Sequence, residues 1–184
     1  FEQARACATE KQKLFFAQSG MEVVNSLNAS LALINLLKGE GLIDGIGVQG
    51  HYAVNSLNRY GMDDMMKALS ETGIEIYFTE LYVDSNENNS GDFDKTDEER
   101  YNAGVKRYKA LMSYLLNYDT KNAYNIVSIN FDGLTNDTSS LNQPKDYFDS
   151  KGEKAYGVRS VSFPYFFDAE LNVMDTLFAA MGDA

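Results

Sequence analysis

One carboxylate, Glu80, lies near the end of an apolar run, residues 74–83, that is rich in β-branched and aromatic residues. This composition, directly after the turn residue Gly73, predicts a β-strand. A buried carboxylate without a partner is energetically costly, so its presence here indicates a partner, a ligand or a catalytic role. A Glu at a strand end that faces solvent or pairs with a helix is the alternative interpretation.

Polar side chains also follow the other predicted strands. Gln18 follows the first strand, Gln49 and His51 end the second, and Asn130 and Asp132 end the fourth. The carboxyl ends of parallel strands lie at one edge of a sheet, where the functional groups of β/α folds collect. The sequence therefore predicts a polar site of amides, an imidazole and two carboxylates at this edge.

The elements that must position these residues alternate between strands and helices. Strands are predicted over residues 13–17, 42–52, 74–83 and 124–131, and helices over residues 1–8, 27–38, 62–72, 98–118 and around 154–158. The spacing between successive strands is long enough for βαβ units. An α/β fold with a parallel sheet and crossover helices is therefore expected, formed by residues 1–158, with an apolar tail, residues 159–184, packed on the same domain.

Composition restricts the class of protein. A chain of 184 residues with 44% hydrophobic residues is long enough for one domain with a substantial core. Its formal net charge of −11 argues against nucleic acid or an anionic membrane as the partner. Cys7 is the only cysteine, which excludes an internal disulfide and a cysteine-based metal cluster. No cofactor and no metal are expected.

Two segments taken together resemble a known family. They are Asp-Gly-Ile-Gly-Val-Gln-Gly-His at residues 44–51 and Thr-Glu-Leu at residues 79–81, one strand later. The pair is similar to the second half of the family 10 glycoside hydrolases, which are mostly endo-β-1,4-xylanases. The resemblance runs from about Phe1 to Val158. It implies the C-terminal part, about strands five to eight, of a (β/α)8 TIM barrel.

The resemblance also implies roles for individual residues. Glu80 occupies the position of the nucleophile in the retaining hydrolysis of β-1,4-xylan, and His51 that of a residue which orients and stabilises this carboxylate. N–H groups that donate to Glu80 would favour its ionised form. Four residues are expected to bind substrate: Gln49, Asp132, Asp137 and Gln18.

The chain departs from the family pattern in its binding residues. The acid/base glutamate ends the fourth strand of the family, and the sequence contains no matching segment. The family's Asn-Asp-Tyr-Asn after its fifth strand corresponds to Ala-Gln-Ser-Gly, residues 17–20. Two tryptophans of the sugar cleft correspond to positions at or near Asp132 and Leu141, and the sequence has no Trp. Because sugar rings stack on aromatic faces, xylan binding should be weaker unless Tyr or Phe residues compensate.

The matched region corresponds to half of a barrel. The sequence begins without Met, at Phe1, inside a predicted helix, so we expect a fragment of a longer enzyme that is incomplete by itself. Part of an opened barrel exposes two sheet edges. The expected partners are the missing N-terminal half or a second copy in a homodimer, besides xylan. Because polymeric xylan cannot enter a cell, the resemblance implies an extracellular or periplasmic protein.

Two other functions stay open. The first is a catalytically inactive carbohydrate-binding or structural relative, which the missing tryptophans favour. The second is a metal-dependent β/α hydrolase that uses His51, Glu80 and Asp132. The presence of a single His and the lack of a His-x-His motif argue against the metal enzyme.

Overall fold

The computed structural model describes residues 1–55, 59–86, 95–122, 125–148, 151–157 and 162–182. The first elements in chain order are α1 (Glu2–Cys7), β1 (Phe15–Ser19), α2 (Val24–Gly39), β2 (Gly45–Ala53), α3 (Arg59–Glu71) and β3 (Glu75–Asp84). They are followed by α4 (Asp97–Asn122), β4 (Ile126–Phe131), a 3₁₀ turn (Ser140–Asn142), β5 (Lys145–Phe148), β6 (Lys154–Gly157) and α5 (Asp175–Gly182). No helix of the described residues is long and apolar enough to cross a membrane.

The main sheet contains four strands in the order β1-β2-β3-β4, so that strands adjacent in sequence are also neighbours in space. Strands β1 and β2 are parallel, with Phe15 paired to Gly45 and Ser19 paired to Gln49. Helices α2, α3 and α4 each connect one strand to the next. The predicted parallel sheet with crossover helices is therefore confirmed.

The chain divides into two compact units. The first contains residues 1–51, 58–81 and 117–130, and the second contains residues 52–57, 82–116 and 131–184. The described part of the apolar tail, residues 162–182, belongs to the second unit.

The core of the first unit lies between the sheet and helices α2 and α3, which pack against each other. Each helix buries apolar residues at spacings such as three, four or seven positions, which places them on one helical face. The fully or almost fully buried residues are Leu27, Ile34 and Leu37 of α2, Met62, Met65, Met66 and Leu69 of α3, and Ile46, Val48, Ile76, Phe78 and Leu81 of the strands.

Asp44 ties α1 and β1 to the start of β2. Its Oδ2 accepts hydrogen bonds from the backbone N–H of Leu14 and from Nη2 of Arg5, both at 2.7 Å. In return, the Leu14 carbonyl accepts from the N–H of Asp44 at 2.8 Å. The Leu14 N–H, and next the Arg5 guanidinium, hold the pKa of Asp44 below its ordinary value. The carboxylate of Asp44 is therefore a structural group at the amino ends of the strands.

Tyr108 of α4 is at the centre of the second unit. Its fully buried hydroxyl accepts from the N–H of Val83 at 3.0 Å and donates to the carbonyl of Pro164. Its ring packs against Phe166, which makes an edge-on contact with Phe131 at 4.7 Å between centroids. Burial raises the pKa of Tyr108 well above its ordinary range. This hydroxyl therefore remains a neutral structural group.

The prediction of a helix around residues 154–158 is wrong. Lys154–Gly157 forms strand β6, which pairs antiparallel with β5, and Lys154 Nζ lies 2.7 Å from Asp146 Oδ2 on the facing strand. Gly152 has a φ of +79°, a left-handed turn conformation, between the two strands. A four-residue segment carries little periodic signal, and its pairing partner decides its structure. Val158 itself lies outside the described residues.

Candidate active site

Strand β2 has two faces of different burial. Val48 and Gly50 are buried, whereas Gln49 is partly exposed and His51 is exposed. Because successive side chains of a strand point to opposite faces, Gln49 and His51 lie on the same face near the carboxyl end of the strand. The end of this strand is also where the sequence predicted these two residues.

Strand β3 contains an irregularity where it presents Glu80. Ile76 and Phe78 are buried on one face, but Thr79 and Glu80 are both partly exposed, and Leu81 is buried again. The alternation thus shifts by one position between Thr79 and Glu80, as it does at a β-bulge. The shift places Glu80 on the same face as Thr79. Two consecutive polar residues inside an apolar run were the sequence signal for this feature.

The Glu80 carboxylate is held through both of its oxygens. Gln49 Nε2 donates to Oε1 at 3.0 Å, and His51 Nε2 lies 3.2 Å from Oε2. The side chains of His51 and Glu80 remain 34% and 39% exposed, so a ligand can reach them. Donors on both oxygens of a carboxylate fix the direction of its lone pairs. The arrangement therefore presents an oriented anion that can attack an electrophilic carbon or stabilise a developing positive charge.

Gln18 is not brought to this carboxylate. Its Nε2 donates to the carbonyl of Ser19 at 3.2 Å, and in the register of the sheet it pairs with Val48. Paired residues of parallel strands share a face, so Gln18 lies on the face opposite to Gln49. The residue paired with Gln49 is Ser19. Ser19 was not among the predicted site residues, because the predicted first strand ends at Ala17 and β1 continues two residues further.

Asp132 belongs to the second unit and contacts Tyr165 there. Burial is the main cause that raises the pKa of the Tyr165 hydroxyl, and the hydrogen bond that this hydroxyl donates to Asp132 adds to it. The Tyr165 ring packs directly on Gly133, where an added Cβ would lie 2.6 Å from the ring. Asp132 is thus anchored by an aromatic residue next to a glycine that has no room for a side chain.

Asp137 also belongs to the second unit, where its side chain is exposed. Its backbone carbonyl accepts a hydrogen bond from Gln143 Nε2 at 3.0 Å. Asp137 lines a surface pocket together with Asn142, Phe163 and Met174. Within the first unit, the structure therefore brings together three predicted site residues, namely Gln49, His51 and Glu80.

The family model described as glycosyl hydrolase family 10 matches residues 1–181. The match extends beyond Val158, where the resemblance of individual motifs ended, and so includes most of the apolar tail.

Curated relatives match over shorter segments. The chain is 32% identical over 111 residues to "Beta-1,4-xylanase" of Dictyoglomus thermophilum, a match that covers 58% of this chain and 31% of that protein. It is 33% identical over 83 residues to "Endo-1,4-beta-xylanase 5" of Pyricularia oryzae, covering 44% of this chain and 20% of that protein. The matches therefore span a third or less of the length of these relatives.

Solved structures match over almost the whole chain. Xylanase B from Clostridium stercorarium F9 aligns with a TM-score of 0.77 at 21% identity, covering 100% of this chain and 50% of that chain. An endo-1,4-beta-xylanase from Caldicellulosiruptor owensensis aligns with a TM-score of 0.76 at 23% identity, covering 98% and 51%. The chain thus spans about half the length of these structures. The predicted fold class, part of a (β/α)8 TIM barrel, is confirmed.

Proposed function

Because the chain belongs to glycosyl hydrolase family 10, we propose that it acts as part of a retaining endo-1,4-β-xylanase-like glycoside hydrolase with Glu80 as its nucleophile. One observation carries this proposal: Gln49 and His51 hold the two oxygens of a half-buried Glu80 carboxylate. The names of the curated relatives, both xylanases, support β-1,4-xylan as the substrate.

In retaining hydrolysis the nucleophilic carboxylate attacks the anomeric carbon as the bond to the leaving oxygen breaks, and a glycosyl ester forms. A second carboxyl group protonates the leaving oxygen and then deprotonates the water that hydrolyses the ester. In this scheme Gln49 and His51 hold the Glu80 carboxylate and aim one of its lone pairs. The sequence lacks a segment like the family's acid/base motif, so we propose that this group comes from outside the sequence.

The partner proposed for this chain supplies the rest of a barrel. Strands β1 and β4 lie at the two ends of the four-stranded sheet, whereas a closed barrel has no sheet edges. We propose that these edges pair with the N-terminal half of the barrel or with a second copy of the chain. Sedimentation experiments would detect either complex. The proposed pairing of the sheet edges would be contradicted by a stable monomer whose β1 and β4 amides are strongly protected in hydrogen exchange.

Since polymeric xylan does not enter cells, we also propose that the protein is extracellular or periplasmic. Detection of the protein in the culture medium or periplasm, with a cytosolic protein as the marker for lysis, would test the location.

The function is tested with an aryl xylobioside whose good leaving group needs little acid assistance. Intact-mass analysis of the chain should show a covalent glycosyl adduct, and peptide mapping should place it on Glu80. The Glu80→Gln variant should form no adduct. The Glu75→Gln variant, altered on the same strand at a residue that contacts Lys13, should still form it.

The adduct should form equally well in the presence of a chelator, which separates the proposal from a metal-dependent hydrolase. If the folded chain forms no adduct, either alone or together with the N-terminal half of a family member, Glu80 is not a working nucleophile and the proposal is wrong.

The absence of Trp from the sequence favours a second candidate, a carbohydrate-binding relative without activity. Such a protein would bind xylo-oligosaccharides in calorimetry and show no turnover with the activated substrate. Its Glu80→Ala variant would change the sugar affinity without changing any rate, whereas in the nucleophile role the same substitution abolishes adduct formation.

A further inference from the structure

Gly47 occupies a crowded position on β2, two residues before Gln49 and on the same face. A Cβ atom added to Gly47 would lie 2.8 Å from Ala17 Cβ on β1 and 3.1 Å from Thr79 Cγ2 on β3. The first of these distances is shorter than folded proteins allow. Gly47 is not among the glycines with a positive φ, so the requirement for glycine here is one of space rather than of backbone conformation.

Thr79 reaches across to β2 with both branches of its side chain. Its Oγ1 lies 3.5 Å from the carbonyl of Val48, and its Cγ2 methyl packs over Gly47. A β-branched side chain has few rotamers, so two contacts on one strand fix its orientation. Thr79 directly precedes Glu80, at the position where the alternation of β3 shifts.

We propose that Gly47 and Thr79 are positioning residues for the Glu80 carboxylate. The space left by Gly47 receives the Thr79 methyl group, and this packing holds the irregular backbone between Thr79 and Glu80. The carboxylate consequently faces Gln49 and His51 rather than the helices behind the sheet. The catalytic consequence rests on the proposed function of Glu80, but the positioning itself does not.

An added methyl group at position 47 forces the Thr79 methyl group to move by a few tenths of an ångström, and its shorter contact with Ala17 Cβ requires a shift there as well. Displacement of Thr79 is passed to the next residue through the backbone. Since misplacement of a reacting group by ~1 Å costs about a hundredfold in rate, we expect Gly47→Ala to slow adduct formation roughly tenfold.

Gly45 supplies a matched control. It lies on the same strand and the same face, and its added Cβ would lie 2.4 Å from Phe15 Cε1 and 3.2 Å from the carbonyl of Glu75. Gly45→Ala should therefore also lower the melting temperature. Its neighbours do not adjoin Glu80 in the chain, so the geometry of the carboxylate should not change.

The sequence contains one His, so an NMR spectrum of the imidazole reports His51 alone. The change in its Nε2 and Hε1 resonances caused by Glu80→Gln defines the effect of losing the carboxylate contact. Gly47→Ala should produce at least half of that change, and Gly45→Ala should leave the resonances at their parental positions. This readout needs no substrate, so it tests the positioning even if the chain forms no adduct.

A compensating exchange tests the role of Thr79. In the Gly47→Ala background, Thr79→Ser removes the methyl group that the new one contacts on β3. The part of the change in the His51 resonances that comes from this contact should therefore be reversed. Thr79→Ser alone should shift the His51 resonances in the same direction as Glu80→Gln does. This variant therefore tests the inference even if Gly47→Ala does not fold. Parental resonances in folded Gly47→Ala, or in Thr79→Ser, would overturn the inference, as would a failure of the exchange to reverse any part of the change.

Discussion

Replacement of Asp44 by Asn removes a charge that serves two donors on different elements. Oδ2 accepts from the Leu14 N–H and from Arg5 Nη2, both at 2.7 Å. Asn keeps the shape of the side chain and a neutral acceptor, so the variant loses the charge-assisted part of both interactions. We expect Asp44→Asn to fold with the same elements and lower stability, because these contacts join α1 and β1 to β2.

The expected loss of stability depends on how exposed Asp44 and Arg5 are. Hydrogen bonds to charged groups contribute about 1.5–3 kcal/mol, but Asp44 is 35% and Arg5 29% exposed, and solvent screens exposed ion pairs. We therefore expect a loss of about 1–2 kcal/mol in the free energy of unfolding. For a chain of this length that corresponds to a melting temperature lower by about 2–8 °C.

The effect should depend on pH in one direction. The pKa of Asp44 lies below its ordinary value of 3.8 in the folded protein. Its stabilisation is therefore fully present above the pKa of the unfolded chain and is lost as the pH falls through the folded pKa. The stability gap between the parent and Asp44→Asn should stay constant from pH ~7 to ~5 and close below pH ~4.

Urea denaturation at a series of pH values measures this gap. Asp64→Asn, which changes an exposed carboxylate on α3, is the control for the general effect of losing one negative charge. The reasoning is refuted if Asp44→Asn destabilises no more than Asp64→Asn at neutral pH. It is also refuted if the gap widens on acidification.

Two further predictions concern the second unit. Tyr108→Phe leaves the buried N–H of Val83 and the buried carbonyl of Pro164 without their partner. This loss should lower the free energy of unfolding by about 2–4 kcal/mol. The control Tyr156→Phe, at a side chain that is 74% exposed, should have no measurable effect on the melting temperature. Gly133→Ala should lower the melting temperature more than Gly152→Ala, because both positions have a positive φ but only Gly133 has the Tyr165 ring against it. Equal losses in those two variants would show that the Tyr165 contact relaxes without cost.

The main elements could be predicted because their signals are local. Strand β3 was predicted over residues 74–83 and lies at Glu75–Asp84, and β2 was predicted over residues 42–52 and lies at Gly45–Ala53. Hydrophobic periodicity and turn glycines within each segment were sufficient for these. Strand β6 could not be predicted in this way, since a short stretch becomes a strand only through its pairing with Lys145–Phe148.

The candidate site, too, could be predicted only where the signal is local. Gln49, His51 and Glu80 could be proposed because parallel strands bring their carboxyl ends together and because two motifs resemble a family. The role of Asp44, although it lies in one of those motifs, depends on Leu14 and Arg5, 30 and 39 residues away in sequence. No local pattern identifies such partners. The place of Gly47 beside Thr79 likewise follows from the packing of three strands.

The intact surroundings of Glu80 and the missing tryptophans are compatible, because they depend on different parts of the chain. Gln49 and His51, which contact Glu80, lie on β2, and Gly47 of the same strand makes room for the residue before the carboxylate. Two other residues expected to contact sugar, Asp132 and Asp137, belong to the second unit. The missing tryptophans, which correspond to positions in the second unit, can therefore weaken sugar binding while Gln49 and His51 still hold the carboxylate. Activity with a small activated glycoside, which relies on few sugar contacts, should therefore be less affected by the missing tryptophans than activity on the polymer.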